Sequence, residues 1–368
     1  MATAARAVED RTAGAAEQPE AGSPAAERLL GVLNDGCLAL MISLGHRSGL
    51  FEAMADLPPS TSEEVARAAE LDERYVREWL GAMLVGGIVR YDPARRTYRL
   101  PEEQAAFLTR RAGPDNLAVL MQYVAVLAGV EDRVLECFRH GGGVPYSAYP
   151  RFQQVQAEET RAVFDATLLD RTLPLVPGLV ERLRAGIEVA EIGCGQGHAL
   201  NLMAAAFPNS RLVGLDLSKE GVAAARAQAA VQGLENVSFV VKDVATLDSV
   251  GRYDLVTAFD AIHDQAEPRR VLRNVARALR PDGRLLMVDI RARTAVHENL
   301  DHPLGALLYS ISCMHCMTVS LAQGGEGLGT AWGEEKALEL LREAGFARVD
   351  VRQVEGDIMN SYYVASRG

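Results

Sequence analysis

Short apolar runs alternate with helical segments from Gly186 to the C-terminus, and this rhythm constrains the fold more than any other feature of the chain. Five runs, each rich in Val, Ile or Leu, share it: IEVAEIGCG, SRLVGLDLS, VSFVVKDV, YDLVTAFD and GRLLMVDI. Strands separated by helices pair in parallel, with helices on both faces of the sheet. The last two runs, ARVDVRQVEG and SYYVASRG, have no helix between them, which predicts a terminal antiparallel pair. The predicted fold class is therefore α/β with a mostly parallel sheet.

Three glycines, Gly193, Gly195 and Gly197, stand at alternate positions directly after the first of these runs. Glycine permits a positive φ and lets a ligand lie against the main chain. In open α/β sheets a ligand binds at the carboxyl ends of the strands. Asp216 ends the second run, where a carboxylate suits a ribose diol, and Asp243 ends the third, where it suits an adenine amine. A tight turn without a ligand would explain the glycines but not the acids that accompany them.

The motif E-x-G-x-G-x-G, together with these acids and the fourth run, resembles the class I S-adenosylmethionine-dependent methyltransferases. The resemblance covers Gly186 to the C-terminus and implies a Rossmann-like sheet with S-adenosylmethionine as cofactor. A dinucleotide-binding loop would follow G-x-G-x-x-G, whereas the glycines here alternate. The cofactor-binding residues that the resemblance implies are Glu191, Gly193, Gly195, Gly197, Asp216, Leu217, Asp243, Val244, Phe259 and Asp260.

The front half of the chain carries the signals of two short helices followed by a hairpin. Thr61 or Ser62 is predicted to cap the first helix, and Asp72 the second, which ends at Gly86-Gly87. Two short strands are then predicted on either side of Asp92-Pro93. Helix, helix and hairpin in this order are typical of a winged helix.

A helical arm precedes the winged helix, predicted from Glu27 to Met54 without a break, and a helical connector follows it. This layout resembles plant-type small-molecule O-methyltransferases and a group of actinobacterial winged-helix methyltransferases, a likeness that HDQAEP and LGTAWGEE also carry. The resemblance implies a homodimer formed through the front domain. The predicted division is a disordered tail, the arm with the winged helix, the connector and the catalytic domain, at residues 1–24, 25–112, 113–185 and 186–368.

A winged helix is also a DNA-binding fold, so a second class of function stays open: a regulator that uses the cofactor fold to sense a ligand. From Ser60 to Arg111 there are nine Lys or Arg and nine Asp or Glu, so this segment is neutral. The would-be recognition helix, DERYVREWLGAML, carries three acids and two arginines. Phosphate contacts dominate affinity for DNA, which disfavours this helix as a DNA reader. The hairpin arginines Arg95, Arg96 and Arg99 keep the alternative open.

His263 and Asp264 follow the fourth run and are the candidate catalytic residues. Transfer of a methyl group to a hydroxyl requires removal of its proton, and histidine titrates near neutral pH. In plant-type O-methyltransferases a catalytic histidine stands in a matching His-Asp pair, followed by tryptophan where this chain has Gln265. Asp264 would orient the ring. The alternative is that His263 caps the next helix or packs on the cofactor.

A long insertion, residues 291–333, separates the fifth run from the last helix. Its apolar, Met-rich middle and glycine-rich end predict a wall and lid of the acceptor pocket, although a helix packed on the front domain has the same pattern. The predicted lining residues are Tyr309, His315, Met317 and Trp332. Cys313, His315 and Cys316 suit zinc, but a structural site needs four ligands, so we predict no metal.

Net charge and cysteine content restrict the partners and the cellular compartment that we predict for the chain. The formal charge of -11 disfavours nucleic acid and anionic membranes. The five cysteines show no disulfide spacing, and the first 24 residues lack the apolar segment of a signal peptide, so we predict a cytoplasmic protein. The apolar run Leu117–Val130 is too short to span a bilayer, so no membrane partner is predicted. The predicted acceptor is a small apolar or aromatic molecule, methylated on oxygen in preference to nitrogen or carbon.

Overall fold

The computed structural model describes residues 23–367 and begins with two helices in succession, α1 (Pro24–Ser48) and α2 (Leu50–Asp56). The predicted tail lies outside the described residues except for Ser23, which caps α1, and Pro24. The prediction of an unbroken arm is wrong, because Gly49 adopts the left-handed conformation at φ 76° and its N–H bonds back to the carbonyls of Gly45 and His46. A glycine inside a helical pattern is free to end a helix in this way.

The winged helix follows as predicted. Thr61 forms a capping box with Glu64, and the Asp72 carboxylate accepts hydrogen bonds from the first turn of the next helix. Trp79 packs edge-on against Phe51 at 5.2 Å and ties this unit to the arm. The elements are α3 (Ser62–Ala68), α4 (Glu73–Val85), β1 (Arg90–Asp92) and β2 (Thr97–Arg99).

The connector is helical, as predicted, and joins the two halves of the molecule. The short helix α5 (Glu102–Leu108) closes the winged-helix segment, and the helices of the connector are α6 (Leu117–Ala128), α7 (Glu131–His140), α8 (Phe152–Thr167) and α9 (Leu179–Ala185). Helix α6 lies between α1 on one side and α8 on the other. The arm and the catalytic domain are therefore in contact through packed helices.

A seven-stranded sheet forms the core of the catalytic domain, in the order β5-β4-β3-β6-β7-β9-β8. All neighbouring pairs are parallel except those made by β9, which runs against β7 and β8. The predicted α/β class and the terminal antiparallel pair are confirmed. The strands are β3 (Glu188–Ile192), β4 (Arg211–Asp216), β5 (Val237–Val241), β6 (Tyr253–Phe259), β7 (Leu279–Ile290), β8 (Arg348–Arg352) and β9 (Asn360–Ser366).

Helices cover both faces of this sheet. The side chains of β7 alternate, with Leu285 and Met287 in one core and Leu286 and Val288 in the other, as the two-residue period of a strand dictates. Helices α8 to α11 pack on the second face, and α12 and α15 on the first. The remaining helices are α10 (His198–Ala206), α11 (Lys219–Val231), α12 (Pro268–Ala278), α13 (Gly305–Ile311), α14 (Met317–Ala322) and α15 (Glu334–Glu343).

Two helical stretches, Pro24–Ser48 and Gly305–Ala322, are long and apolar enough to cross a bilayer by length and composition alone. In the second, Ile311, Cys316 and Val319 are buried against the connector, so this stretch packs as part of the protein interior. One or two long apolar helices also occur in the cores of proteins that never enter a bilayer.

Candidate active site

The glycine loop joins β3 to α10, and all three of its glycines have positive φ: 67° at Gly193, 51° at Gly195 and 72° at Gly197. A Cβ atom at Gly193 would overlap Ala261, and one at Gly197 would overlap the Phe239 ring. No atom lies within 4 Å of a Cβ built on Gly195, which faces open space. Packing therefore requires two of the glycines, whereas the third leaves the main chain accessible from outside.

Asp216, at the end of β4, fastens this loop. Its Oδ2 accepts a hydrogen bond from the Gly195 N–H at 2.7 Å, and its Oδ1 accepts one from the Ser218 N–H at 2.7 Å. Burial raises the pKa of Asp216, and the backbone hydrogen bonds oppose that rise. A carboxylate has about four lone-pair positions, so two remain for a ligand.

Acidic groups also stand at the ends of the neighbouring strands. Glu191 on β3 is 3% exposed, its Oε2 has no hydrogen-bond partner among the described residues, and burial followed by the charge of Asp216 raises its pKa well above normal. Asp243, after β5, is exposed and caps the turn at Val244 through the Ala245 N–H. Leu217 beside Asp216 is 51% exposed. The carboxyl ends of three adjacent strands thus carry acidic side chains and one exposed apolar side chain, that of Leu217.

Asp260 directly follows β6 and has a strained backbone, with φ 48°. Its N–H donates to the Val288 carbonyl at 2.9 Å, which holds the residue in place, and its buried Oδ1 has no hydrogen-bond partner within residues 23–367. Burial and then the charge of Asp289 raise its pKa well above normal. Phe259, one residue earlier, packs against Phe164 of α8 at 5.1 Å. Strain and an unsatisfied polar atom at a strand end are typical of functional positions.

A small cleft of about 50 Å³ lies between α8 and the ends of β6, β7 and β9. Glu159, Phe164, Phe259, Asp260 and Tyr362 contribute to its wall. Glu159 accepts a hydrogen bond from the Tyr123 hydroxyl at 2.7 Å, and burial raises its pKa. The cleft is therefore an aromatic and acidic space at the carboxyl edge of the sheet.

His263 is held by Asp289, a residue that the sequence analysis did not identify. Nδ1 of the ring donates to Asp289 Oδ1 at 2.7 Å, and both side chains are buried. The same oxygen accepts from the Trp332 indole N–H and the Ile290 N–H, each at 2.9 Å. Because Asp289 fixes Nδ1 as a donor, Nε2 is the nitrogen left for chemistry.

Asp264 lies on the Nε2 side of the ring, with Oδ1 3.4 Å from that nitrogen. Burial lowers the pKa of His263, but the charges of Asp289 and Asp264 outweigh it, and the pKa is raised well above its usual value. The other Asp264 oxygen accepts a hydrogen bond from the Tyr146 hydroxyl at 3.1 Å. The structure thus brings the two predicted catalytic residues together between a buried carboxylate and a tyrosine.

The insertion brings one of its four predicted lining residues next to this pair. His315 is 1% exposed and stacks on Phe152, with ring centroids 3.3 Å apart and planes 3° apart. Burial lowers its pKa to about 4, so the ring is neutral at pH 7. The Tyr309 hydroxyl accepts from Asn299, and Met317 begins α14. None of His315, Tyr309 and Met317 is among the described residues that line the cleft, so their place in the acceptor pocket stays a prediction.

Trp332 is the fourth residue that we predicted to line the acceptor pocket, and that role stays a prediction. It is buried in the core on the α12 and α15 face, and it reaches the site only through its hydrogen bond to Asp289. The sequence around Trp332 is glycine-rich and has no apolar periodicity that would predict its burial. The position of Trp332 depends instead on how the insertion folds back on the sheet. Trp332 therefore supports the buried carboxylate from behind.

The donor atoms of His263, Asp264 and Cys316 lie within 4.8 Å of one another. Burial and then the charge of Asp264 raise the pKa of Cys316 to about 12, so the thiol keeps its proton. Zinc binds the thiolate, and its structural sites use four ligands. The absence of a metal stays a prediction.

Two family models match the chain: a Rv2258c-like winged HTH domain over residues 36–110, and a methyltransferase domain over residues 183–351. Nocamycin O-methyltransferase of Saccharothrix syringae is 30% identical over 207 residues, which is 53% of this chain and 72% of that protein. The chain belongs to the S-adenosylmethionine-dependent methyltransferases. Its cofactor is S-adenosylmethionine, as the sequence motif predicted.

Solved structures of similar fold extend over nearly the whole methyltransferase. Human N-acetylserotonin methyltransferase in complex with S-adenosylmethionine has a TM-score of 0.66 and 16% identity, covering 95% of this chain and 99% of that one. Mitomycin 7-O-methyltransferase has a TM-score of 0.65 and 18% identity, covering 93% and 98%. At these identities the likeness concerns the fold alone, from the front helices to the last strand.

Proposed function

We propose that this methyltransferase acts on an oxygen of a small, largely apolar or aromatic acceptor, with His263 as the general base. The observation that carries the proposal is the buried Asp289–His263 hydrogen bond, which directs Nε2 of the ring toward Asp264. The relatives point to the same chemistry, since one is named for O-methylation of nocamycin and another for mitomycin. A role in secondary metabolism is part of the proposal.

We assign the cofactor to the glycine loop and the strand-end acids. Gly195 leaves its main chain open, Asp216 keeps two acceptor positions free, and Glu191 has an unpartnered oxygen, so these residues fit a ligand with a diol and an ammonium group. Asp243, Val244 and Leu217 would flank its adenine, and Phe259 and Asp260 its methionine end. S-adenosylmethionine, when bound, supplies an electrophilic methyl group on a sulfonium.

The acceptor hydroxyl must lose its proton as the new bond to carbon forms. Nε2 of His263 takes that proton, and Asp289 stabilises the imidazolium that results, because its carboxylate accepts the Nδ1 hydrogen bond at 2.7 Å. Once Nε2 carries the proton it can donate to Asp264 Oδ1, 3.4 Å away, so Asp264 also stabilises the imidazolium. The raised pKa of His263 makes the ring a stronger base but leaves less of it neutral at pH 7.

The experiment measures S-adenosylhomocysteine formation against a panel of small phenols, alcohols, amines and carboxylic acids, with the methylated atom identified by mass spectrometry and NMR. His263→Ala should lower turnover on the accepted substrate by about 10²–10⁴-fold while affinity for S-adenosylmethionine stays within a few-fold. His140→Ala is the matched control, because His140 is exposed and pairs only with Glu136. Turnover of His263→Ala close to that of the control would exclude the base.

A homodimer formed through the arm is part of the proposal. Leu29, Leu30 and Leu33 of α1 are between 60% and 69% exposed, a contiguous apolar stretch that solvent-exposed helices rarely carry. The double variant Leu29→Glu/Leu33→Glu should sediment as a monomer in analytical ultracentrifugation. Val231→Glu, at an 89% exposed valine of the catalytic domain, should leave the dimer intact. A dimer that survives the double variant would place the interface elsewhere.

We also propose a cytoplasmic enzyme that does not bind nucleic acid. All five cysteines are free thiols, which suits a reducing compartment. In the would-be recognition helix, Arg74 pairs with Glu78 and Arg77 with Glu73, so both arginines are neutralised within α4. These pairs lend no support to the alternative of a DNA-binding regulator.

A further inference from the structure

The Tyr146 hydroxyl occupies a position suited to an acceptor hydroxyl. It donates to Asp264 Oδ2 at 3.1 Å, and Asp264 Oδ1 lies 3.4 Å from Nε2 of His263. The phenol group of Tyr146 is therefore bound to the same carboxylate that lies beside Nε2, the nitrogen that we assign as the base. No other described hydroxyl bonds to this carboxylate.

The ring of Tyr146 lies against a wall of other aromatic rings. It meets the edge of His315 at 5.5 Å, and His315 in turn stacks on Phe152 and meets Tyr149 at 4.7 Å. With a pKa of about 4, His315 is neutral and presents a flat face without charge at pH 7. The surroundings of Tyr146 thus suit any aromatic ring that carries a hydroxyl.

The backbone around Tyr146 is fastened on both sides, whereas its side chain is held by the one hydrogen bond to Asp264. The Val144 N–H donates to Thr318 at 2.8 Å, and the Tyr149 hydroxyl donates to the Met314 carbonyl. Between these two attachments the Tyr146 residue is 37% exposed. Rotation of one partly exposed side chain would free Asp264 without moving the segment that carries it.

We propose that Tyr146 is an internal stand-in for the acceptor, and that the acceptor is a phenol. The acceptor's ring takes the place of the Tyr146 ring. Its hydroxyl first donates to Asp264, as Tyr146 does, and then turns to donate to Nε2 of His263, which lies 3.4 Å from the same carboxylate, when the methyl group is transferred. Tyr146 must rotate out before the acceptor enters, so it competes with acceptors for Asp264. Only a molecule that can replace both the ring and the hydroxyl of Tyr146 binds in its place. This inference rests on the proposed function, because it names the substrate class of the same site.

Binding of 4-nitrophenol tests the stand-in without requiring turnover. Calorimetry at about pH 5.5, where 4-nitrophenol keeps the proton that it must donate, on the protein saturated with S-adenosylhomocysteine should give a Kd about tenfold lower in Tyr146→Phe than in the wild type, because a competing hydrogen bond to a charged group is lost. Tyr149→Phe is the matched control: it removes a hydroxyl of the same cluster that bonds to Met314 and not to Asp264, and its Kd should equal that of the wild type.

A second comparison tests the contact with Asp264. In the Tyr146→Phe background 4-nitrophenol should bind about tenfold more tightly than 4-nitrotoluene, which lacks the hydroxyl, and adding Asp264→Ala should remove that preference. An unchanged Kd in Tyr146→Phe, or an equal gain in Tyr149→Phe, overturns the inference. The titrations are repeated without cofactor, so that competition by Tyr146 is measured independently of cofactor binding. S-adenosylhomocysteine is titrated separately, and a failure to bind it contradicts the proposed function alone.

Discussion

Asp289 accepts the Nδ1 hydrogen bond of His263 at 2.7 Å, and both side chains are buried. A free imidazole would predict activity that rises with pH through about 6.5. Here the charges of Asp289 and Asp264 outweigh the effect of burial and raise the pKa of His263 well above that value. The base acts only when neutral, so wild-type kcat should be lost as pH falls through a midpoint higher than that of free histidine.

Replacing Asp289 by Asn should lower that midpoint, because the amide keeps the shape of the carboxylate but removes its charge. The kcat of Asp289→Asn should also fall at its own optimum, by about 10²-fold or more, since the imidazolium loses its stabilising partner. Trp332→Phe is the control, because it removes a hydrogen bond to Asp289 and leaves the charge in place. A pH profile of Asp289→Asn identical to that of the wild type would contradict the coupling.

The cofactor site is tested by Asp216→Ala. This change removes a charged acceptor from the proposed ribose site and also releases the Gly195 and Ser218 amides. Affinity for S-adenosylmethionine, measured by calorimetry, should fall at least about tenfold. Asp248→Ala removes an exposed carboxylate that pairs with Lys242 on the surface, and its affinity for S-adenosylmethionine should stay at the wild-type value. Equal affinities in the two variants would remove Asp216 from the site.

Two substitutions in the glycine loop should separate stability from binding. Gly195→Ala meets no atom and costs about 1–2 kcal/mol of backbone strain, yet its methyl group projects into the space proposed for the cofactor. Gly197→Ala adds an overlap with Phe239 and Ala225 to the strain, so its melting temperature should fall further. Gly251→Ala carries strain at φ 56° in open space and is the control. Gly195→Ala should match its melting temperature but lose cofactor affinity.

Glu158 couples stability to pH. Its hydrogen bond to His46 lowers its pKa to about 2, against the partial burial that would raise it. A depressed carboxyl pKa contributes stability above the unfolded value, about 4.5, and that contribution is lost as pH falls toward the folded value. Urea unfolding should therefore find Glu158→Gln less stable than the wild type at about pH 7, with the gap narrowing at about pH 3. A gap that is constant with pH would show that the carboxylate charge is not involved.

The sequence predicted those parts of the site that depend on local pattern. The glycines, Asp216 and Asp243 each follow an apolar strand, so their meeting at one edge of the sheet follows from parallel pairing alone. The partner of His263 could not be found in this way, because Asp289 stands 26 residues later and meets it only through the pairing of β6 with β7. Its one signal was an acid inside the apolar run GRLLMVDI.

Residues of the connector were missed for a different reason. Glu159 and Tyr146 reach the site only because α8 and the segment after α7 fold over the strand ends, and no periodicity in the chain encodes that packing. The break at Gly49 was also missed, since glycine occurs both inside helices and at their ends. Cap signals at Thr61 and Asp72 succeeded because a capping hydrogen bond is local.

Glu158 and Glu159 are neighbours on α8, and each belongs to a different partnership. Glu158 accepts from Gln122 and pairs with His46 of the arm, whereas Glu159 bonds Tyr123 and faces the cleft. Front and rear halves of this protein are therefore not interchangeable modules. A hybrid with a relative that is joined ahead of α8 would combine an arm from one parent with carboxylates from the other. A hybrid joined after α8, in the turn before α9, inherits both partnerships from one parent but takes Tyr146 and Asp264 from different parents, so its acceptor contacts would be mixed.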